Sequence, residues 1–115
     1  MHREARAAAE RHALGVETTA VGSWEPATLD PGVREVIARA AAGLDLTAIE
    51  LPSGAGHDAQ ALAAATPSGM IFVPSARGVS HQPGEHTSWE DCVNGANTLL
   101  HAALGLCRGY AVRGA

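Results

Sequence analysis

Leu46-Thr47-Ala48-Ile49-Glu50-Leu51-Pro52-Ser53-Gly54-Ala55-Gly56-His57-Asp58-Ala59-Gln60, followed by Gly69-Met70-Ile71-Phe72-Val73-Pro74-Ser75 and the loop Ala76-Arg77-Gly78-Val79-Ser80-His81-Gln82-Pro83-Gly84-Glu85, decides the fold. Each half reads as a strand that runs into a glycine-containing turn carrying a histidine. The first strand is expected over 46–51. The run 69–74 is continuously apolar, the pattern of a strand buried on both faces. A short helix from Asp58 to Ala65 joins the two, stopped by Thr66-Pro67-Ser68.

Helices flank this unit. Asp30 is a natural N-cap, with Pro31 at the first helical position. Val33, Val36, Ile37, Ala40 and Ala41 then form one apolar face, and Gly43 is expected to end the helix. After the second histidine loop, Ser88 and Asp91 form a capping box. Trp89, Val93, Ala96, Leu100, Ala103 and Cys107 make a stripe at helical spacing. Gly95 inside that helix signals close packing against another element, and the tail after Gly105 reads as frayed. Upstream, 2–13 reads as a helix stopping at Gly15, 16–24 as a strand, and Glu25-Pro26-Ala27-Thr28-Leu29 as a linker.

From Asp30 onward the expected order is helix, strand, helix, strand, helix: an α/β chain with a parallel sheet and right-handed crossovers. In such sheets ligands bind beyond the carboxyl ends of the strands. His57 follows one strand end and His81 the other, so both fall on one edge of the sheet.

Composition narrows the functions. A chain of 115 residues is one domain at most. All its basic residues are arginines, and a net charge of −4 with scattered signs leaves no electrostatic footprint for nucleic acid. No apolar run approaches membrane-spanning length. Met1-His2-Arg3-Glu4-Ala5-Arg6 has no apolar secretion core. These features lead us to expect a cytoplasmic protein without a membrane partner. Cys92 and Cys107 lack CxxC spacing and are expected to be buried free thiols.

Histidine is a common metal ligand and titrates near neutrality. His81 lies near Ser80, Glu85 and His86, but the spacing matches no compact metal motif. It is either a ligand or a loop histidine bonded to its own backbone. His57 precedes Asp58, the expected N-cap of the short helix, where free N–H groups favour an anionic or carbonyl ligand. It is either a pocket residue or a structural turn histidine. Gly54-Ala55-Gly56-His57-Asp58-Ala59 also matches the dinucleotide fingerprint between a strand and a helix. The second strand, however, ends in Pro74-Ser75-Ala76-Arg77 rather than an acidic residue. No G-x-S-x-G elbow offers a serine nucleophile.

Taken together, Pro52–Ala59, Gly69–Ser75, Gly78–His81, Pro83 and Glu85 resemble the C-terminal part of the zinc-dependent amidohydrolases. That family holds the allantoate amidohydrolases, N-carbamoyl-L-amino-acid hydrolases and β-ureidopropionases. The resemblance implies the C-terminal portion of an αβα metallohydrolase catalytic domain over 26–115. Residues 1–25 then correspond to the end of a lid domain that also makes the homodimer contact. It places a metal-ligand role on His81 and contact with the ureido or carbamoyl group on Gly56 and His57. In the family two metal ions activate a water that attacks the substrate carbon, with a glutamate as general base. The metal is zinc by resemblance, although manganese, cobalt and nickel accept the same ligand types.

The sequence also departs from that family. The other ligands, the bridging aspartate and the catalytic glutamate have no counterpart here. Gln82 stands where asparagine is usual, and Arg77 where glycine is common. One histidine cannot hold a catalytic zinc, and two strands with three helices leave sheet edges open. The expectation is a truncated product or a piece of a larger enzyme, inactive alone, with no catalytic residue of its own. The alternative is a non-catalytic module that associates with itself or a partner through the N-terminal helix and the open strand edge.

Overall fold

The computed structural model describes the backbone of residues 2–113 and the side chains of residues 3–109. Four α-helices form: α1 (His2–Arg11), α2 (Pro31–Ala42), α3 (Asp58–Leu62) and α4 (Trp89–Arg113).

Helix α2 forms as its signals require. Asp30 accepts a hydrogen bond from the Val33 N–H at 2.8 Å, and Pro31 opens the helix. The end differs from expectation, because Gly43 keeps right-handed geometry. Asp45 takes the left-handed position instead (φ 55), and the N–H groups of Leu46 and Asp45 close back onto the carbonyls of Ala41 and Ala42. This is the paired closure of a Schellman motif. Helix α1 ends in the same way on Ala13 (φ 53), with Leu14 bonded back to Ala9, rather than at Gly15. Helix α4 is capped by Ser88, whose hydroxyl accepts from Asp91 N–H at 3.0 Å and donates to the Asp91 carboxylate at 2.6 Å. It continues through Gly105 to Arg113 rather than fraying.

The expected strands are where sequence and structure part. None of 16–24, 46–51 or 69–74 pairs in a ladder, and no strand forms among the described residues. The helix-strand-helix-strand-helix expectation therefore holds for its helices and fails for its strands. A strand exists only through hydrogen bonds to a neighbour. Here 46–51 and 69–74 are not set side by side.

The segment 69–74 is nonetheless seated on helices. A Cβ at Gly69 would lie 2.5 Å from Val33 Cγ1 and 2.9 Å from Ile37 Cδ1 of α2. A Cβ at Gly95 of α4 would overlap Val73 Cγ1. Close packing at Gly95, expected from sequence, is thus observed. Helices α2 and α4 pack on each other, with Val36 3.2 Å from the Cβ position of Gly105. Ala41, Thr98 and Ala102 are the buried residues of this core, and the Thr98 hydroxyl is satisfied by the Asn94 carbonyl at 2.8 Å.

The packed face of α4 is therefore its small-residue face. The stripe expected to be buried lies on the other side: Trp89 is 82% exposed and Leu100 55%. Helix α4 is apolar on two faces, the pattern of a helix enclosed on both sides. Cys92 and Cys107 are exposed, contrary to expectation. Helix α1 stands apart from this pair, making no packed contact with another helix among the described residues.

Candidate functional site

His57 sits at the end of the first glycine-rich turn in extended geometry (φ −137, ψ 152) and occupies the N-cap position of α3. Asp58 is the first helical residue, not the cap, and no side chain caps the helix. The carboxylate still lies in the first turn, where the helix dipole favours it. The His57 ring is half-buried and held twice. Its Nε2 lies 2.8 Å from Ser53 Oγ. Its edge meets the Phe72 ring at a centroid distance of 5.5 Å and an interplanar angle of 66°, the edge-to-face geometry aromatic rings prefer. Through Phe72 the first histidine turn is tied to the 69–74 segment.

Gly56 meets nothing within 4 Å of its Cβ position, and neither does Gly54. The turn is open to solvent, and these glycines leave the approach to His57 clear. Gln60 anchors α3 to the linker by donating to the Glu25 carbonyl at 2.7 Å. Arg34 of α2 meets Glu50 at 2.6 Å, joining the 46–51 segment to the helix by an exposed ion pair, a contact worth at most about 1 kcal/mol.

His81 lies on the second loop, which is closed at its base by the Ala76 N–H donating to the His86 carbonyl at 2.7 Å. Ser75 Oγ donates to the Val79 carbonyl inside it. His81 is exposed and holds a left-handed backbone (φ 57), as do Arg77 (φ 59) and Gly78 (φ 67). The His81 N–H donates to the Glu85 carboxylate at 2.8 Å, and Glu85 N–H closes a turn onto the Gln82 carbonyl at 2.9 Å. Non-glycine residues in this region cost about 1 kcal/mol or more and cluster at functional sites. Glu85 here holds the backbone that presents the histidine.

The two histidines are not linked by a hydrogen bond or ring contact among the described residues. No group of three His, Cys, Asp or Glu side chains able to hold a metal ion occurs there either. The donor set does not fit a complete metal site, since one imidazole is short of the three protein ligands a catalytic zinc requires. No helix is long and apolar enough to cross a membrane. Ser53 and Phe72 went unnoticed as partners of His57. The signal for Ser53 was its position four residues before the histidine within one turn.

Comparison with known proteins agrees with this geometry. Residues 9–105 match the model of "Peptidase family M20/M25/M40". The chain is 41% identical over 101 residues to an N-carbamoyl-L-amino-acid amidohydrolase of Rhizobium meliloti, covering 88% of this chain and 24% of that protein. A Geobacillus stearothermophilus enzyme of the same name is 38% identical over 101 residues, 88% of this chain and 25% of its own length. An allantoate amidohydrolase of Escherichia coli is 53% identical over 47 residues, 41% of this chain and 11% of that protein. The crystal structure of a chain from Burkholderia cenocepacia described as an amidohydrolase/peptidase superposes with a TM-score of 0.68 at 35% identity, over 90% of this chain and 25% of its own. The chain belongs to this peptidase family, whose similar members include amidohydrolases acting on carbon–nitrogen bonds. It spans about a quarter of the length of the relatives it matches. Family membership, rather than a dinucleotide site, accounts for the glycine-rich turn, which leads into a helix of only five residues.

Proposed function

We propose that this chain is the C-terminal quarter of a metal-dependent amidohydrolase catalytic unit that hydrolyses the non-peptide C–N bond of allantoate or an N-carbamoyl-L-amino acid. The observation that carries the reading is the 41% identity to an N-carbamoyl-L-amino-acid amidohydrolase across 88% of the chain. Residues 26–115 belong to the catalytic domain, and residues 1–25 to the end of a lid domain that dimerises. The isolation of α1 from α2 and α4 supports that division.

In this reading Gly56 and His57 contact the ureido or carbamoyl group, and His81 supplies one imidazole to a divalent metal, zinc by resemblance. The metal, when bound, activates the attacking water. The remaining ligands and the general base lie outside the described residues. This chain's own contribution is to hold His57 through Ser53 and Phe72 and to hold the His81 backbone through Glu85. By itself it is inactive.

A chimera tests this. Residues of this chain replace the matching quarter of the Rhizobium meliloti enzyme, and hydrolysis of an N-carbamoyl-L-amino acid is followed alongside metal content. The expected result is activity that disappears, with loss of metal, in His81→Ala. In His57→Ala, turnover falls while metal content stays normal. Full activity with His81→Ala would refute the ligand assignment, and metal loss in His57→Ala would reverse the two roles.

A non-catalytic, self-associating module is the second reading, and the exposed apolar residues favour it. Val21 is 98% exposed, Trp24 81% and Ile49 78%.

A further inference from the structure

We infer that Ser53 is a positioning residue that sets the tautomer of His57, so that the ring offers Nδ1–H as a donor to the carbonyl oxygen of a ureido or carbamoyl group. The inference rests on the reading of His57 as the pocket histidine.

Ser53 Oγ has one proton and two lone pairs. One lone pair is engaged by the Ala55 N–H at 3.3 Å. The hydroxyl therefore has its proton to give, and the acceptor within reach is His57 Nε2 at 2.8 Å. A neutral imidazole carries a single proton, so a ring that accepts at Nε2 must carry it at Nδ1. Among the described residues no protein group bonds to Nδ1. The Phe72 edge contact at 5.5 Å restrains the ring plane, and Gly56 leaves the approach clear.

The consequence is a choice of ligand. A ring fixed as an Nδ1–H donor pairs with an acceptor, the C=O of a ureido or carbamoyl group, and not with an N–H. Without Ser53 the ring is free to carry its proton on Nε2 and would then present a lone pair at Nδ1, the wrong sign for a carbonyl.

Long-range proton–nitrogen correlation spectra of the labelled chain, recorded with the imidazole neutral, read the tautomer directly. His57 is assigned by its loss in His57→Gln. The Nδ1–H form is expected to predominate in the native chain. Ser53→Ala is expected to invert the population toward Nε2–H, and Ser53→Thr, which keeps the hydroxyl, to retain Nδ1–H. An Nε2–H ring in the native chain overturns the inference without any Ser53 variant. An unchanged tautomer in Ser53→Ala overturns it equally. The readout does not depend on turnover. A failure here is therefore distinct from a failure of the pocket reading, which His57→Ala in the chimera would reveal.

Discussion

Gly95→Ala places a methyl group where the structure has no room for one. The added Cβ would overlap Val73 Cγ1, whereas non-bonded carbons pack best at about 3.5–4.0 Å. Val73 cannot swing aside freely, because a β-branched side chain is stiff about χ1. Either Val73 leaves its rotamer or the 69–74 segment lifts from α4, and overpacking of this kind costs about 1–3 kcal/mol. Against that stands the helix-forming advantage of alanine over glycine, about 1 kcal/mol. The net expectation is a loss of up to about 2 kcal/mol. Val73 is 38% exposed, so Val73→Ala alone should cost only about 1 kcal/mol. In that background the obstructing methyl is gone, and Gly95→Ala should become stabilising. Urea unfolding of all four proteins, followed by far-UV circular dichroism, gives the coupling energy. A gain in stability from Gly95→Ala in the native background, or additivity in the double variant, would refute the proposed seating of 69–74 on α4.

Three further outcomes are expected. Arg77→Gly relieves a left-handed backbone and should stabilise the His81 loop by about 1 kcal/mol, raising its hydrogen-exchange protection; lowered protection would mean the arginine side chain holds the loop. Asp30→Ala removes the 2.8 Å cap on Val33 and should cost about 1 kcal/mol in thermal melts, with Asp30→Ser restoring most of it. Light scattering of the purified chain should show a mass that rises with concentration, because so much apolar surface is uncovered; a strict monomer that binds no hydrophobic dye would contradict this.

Local chemistry was legible wherever one residue decides one bond. Asp30, Pro31 and Ser88 announced their helix starts, and Gly95 announced a close approach. Helix ends were less legible because left-handed closure fell on Ala13 and Asp45, residues that do not advertise it. The two faces of α4 were misassigned for a physical reason. Periodicity rewards large apolar residues, but close helix packing used the small ones, and Trp89 and Leu100 were left outward. The strands could not be judged from one segment at a time, since β structure requires a partner. At the site, His57 and His81 were visible as types in glycine-rich turns. Their supports Ser53, Phe72 and Glu85 emerged only with geometry.

The surface of the chain states the same incompleteness in area. A compact monomer of this size exposes about 5,900 Å², whereas this one exposes 9568 Å². Its radius of gyration is 19.8 Å, against about 13 Å for a compact domain of this length. The segments that would be central strands of an α/β sheet carry Ile49, Leu51, Phe72 and Val73, all substantially exposed. Both candidate histidines follow directly from those segments. The elements that would cover the apolar surface and those that would complete the site are therefore needed at the same place. Any polypeptide that pairs with 46–51 and 69–74 comes within reach of His57 and His81, so assembly and chemistry in this family member are expected to arise together.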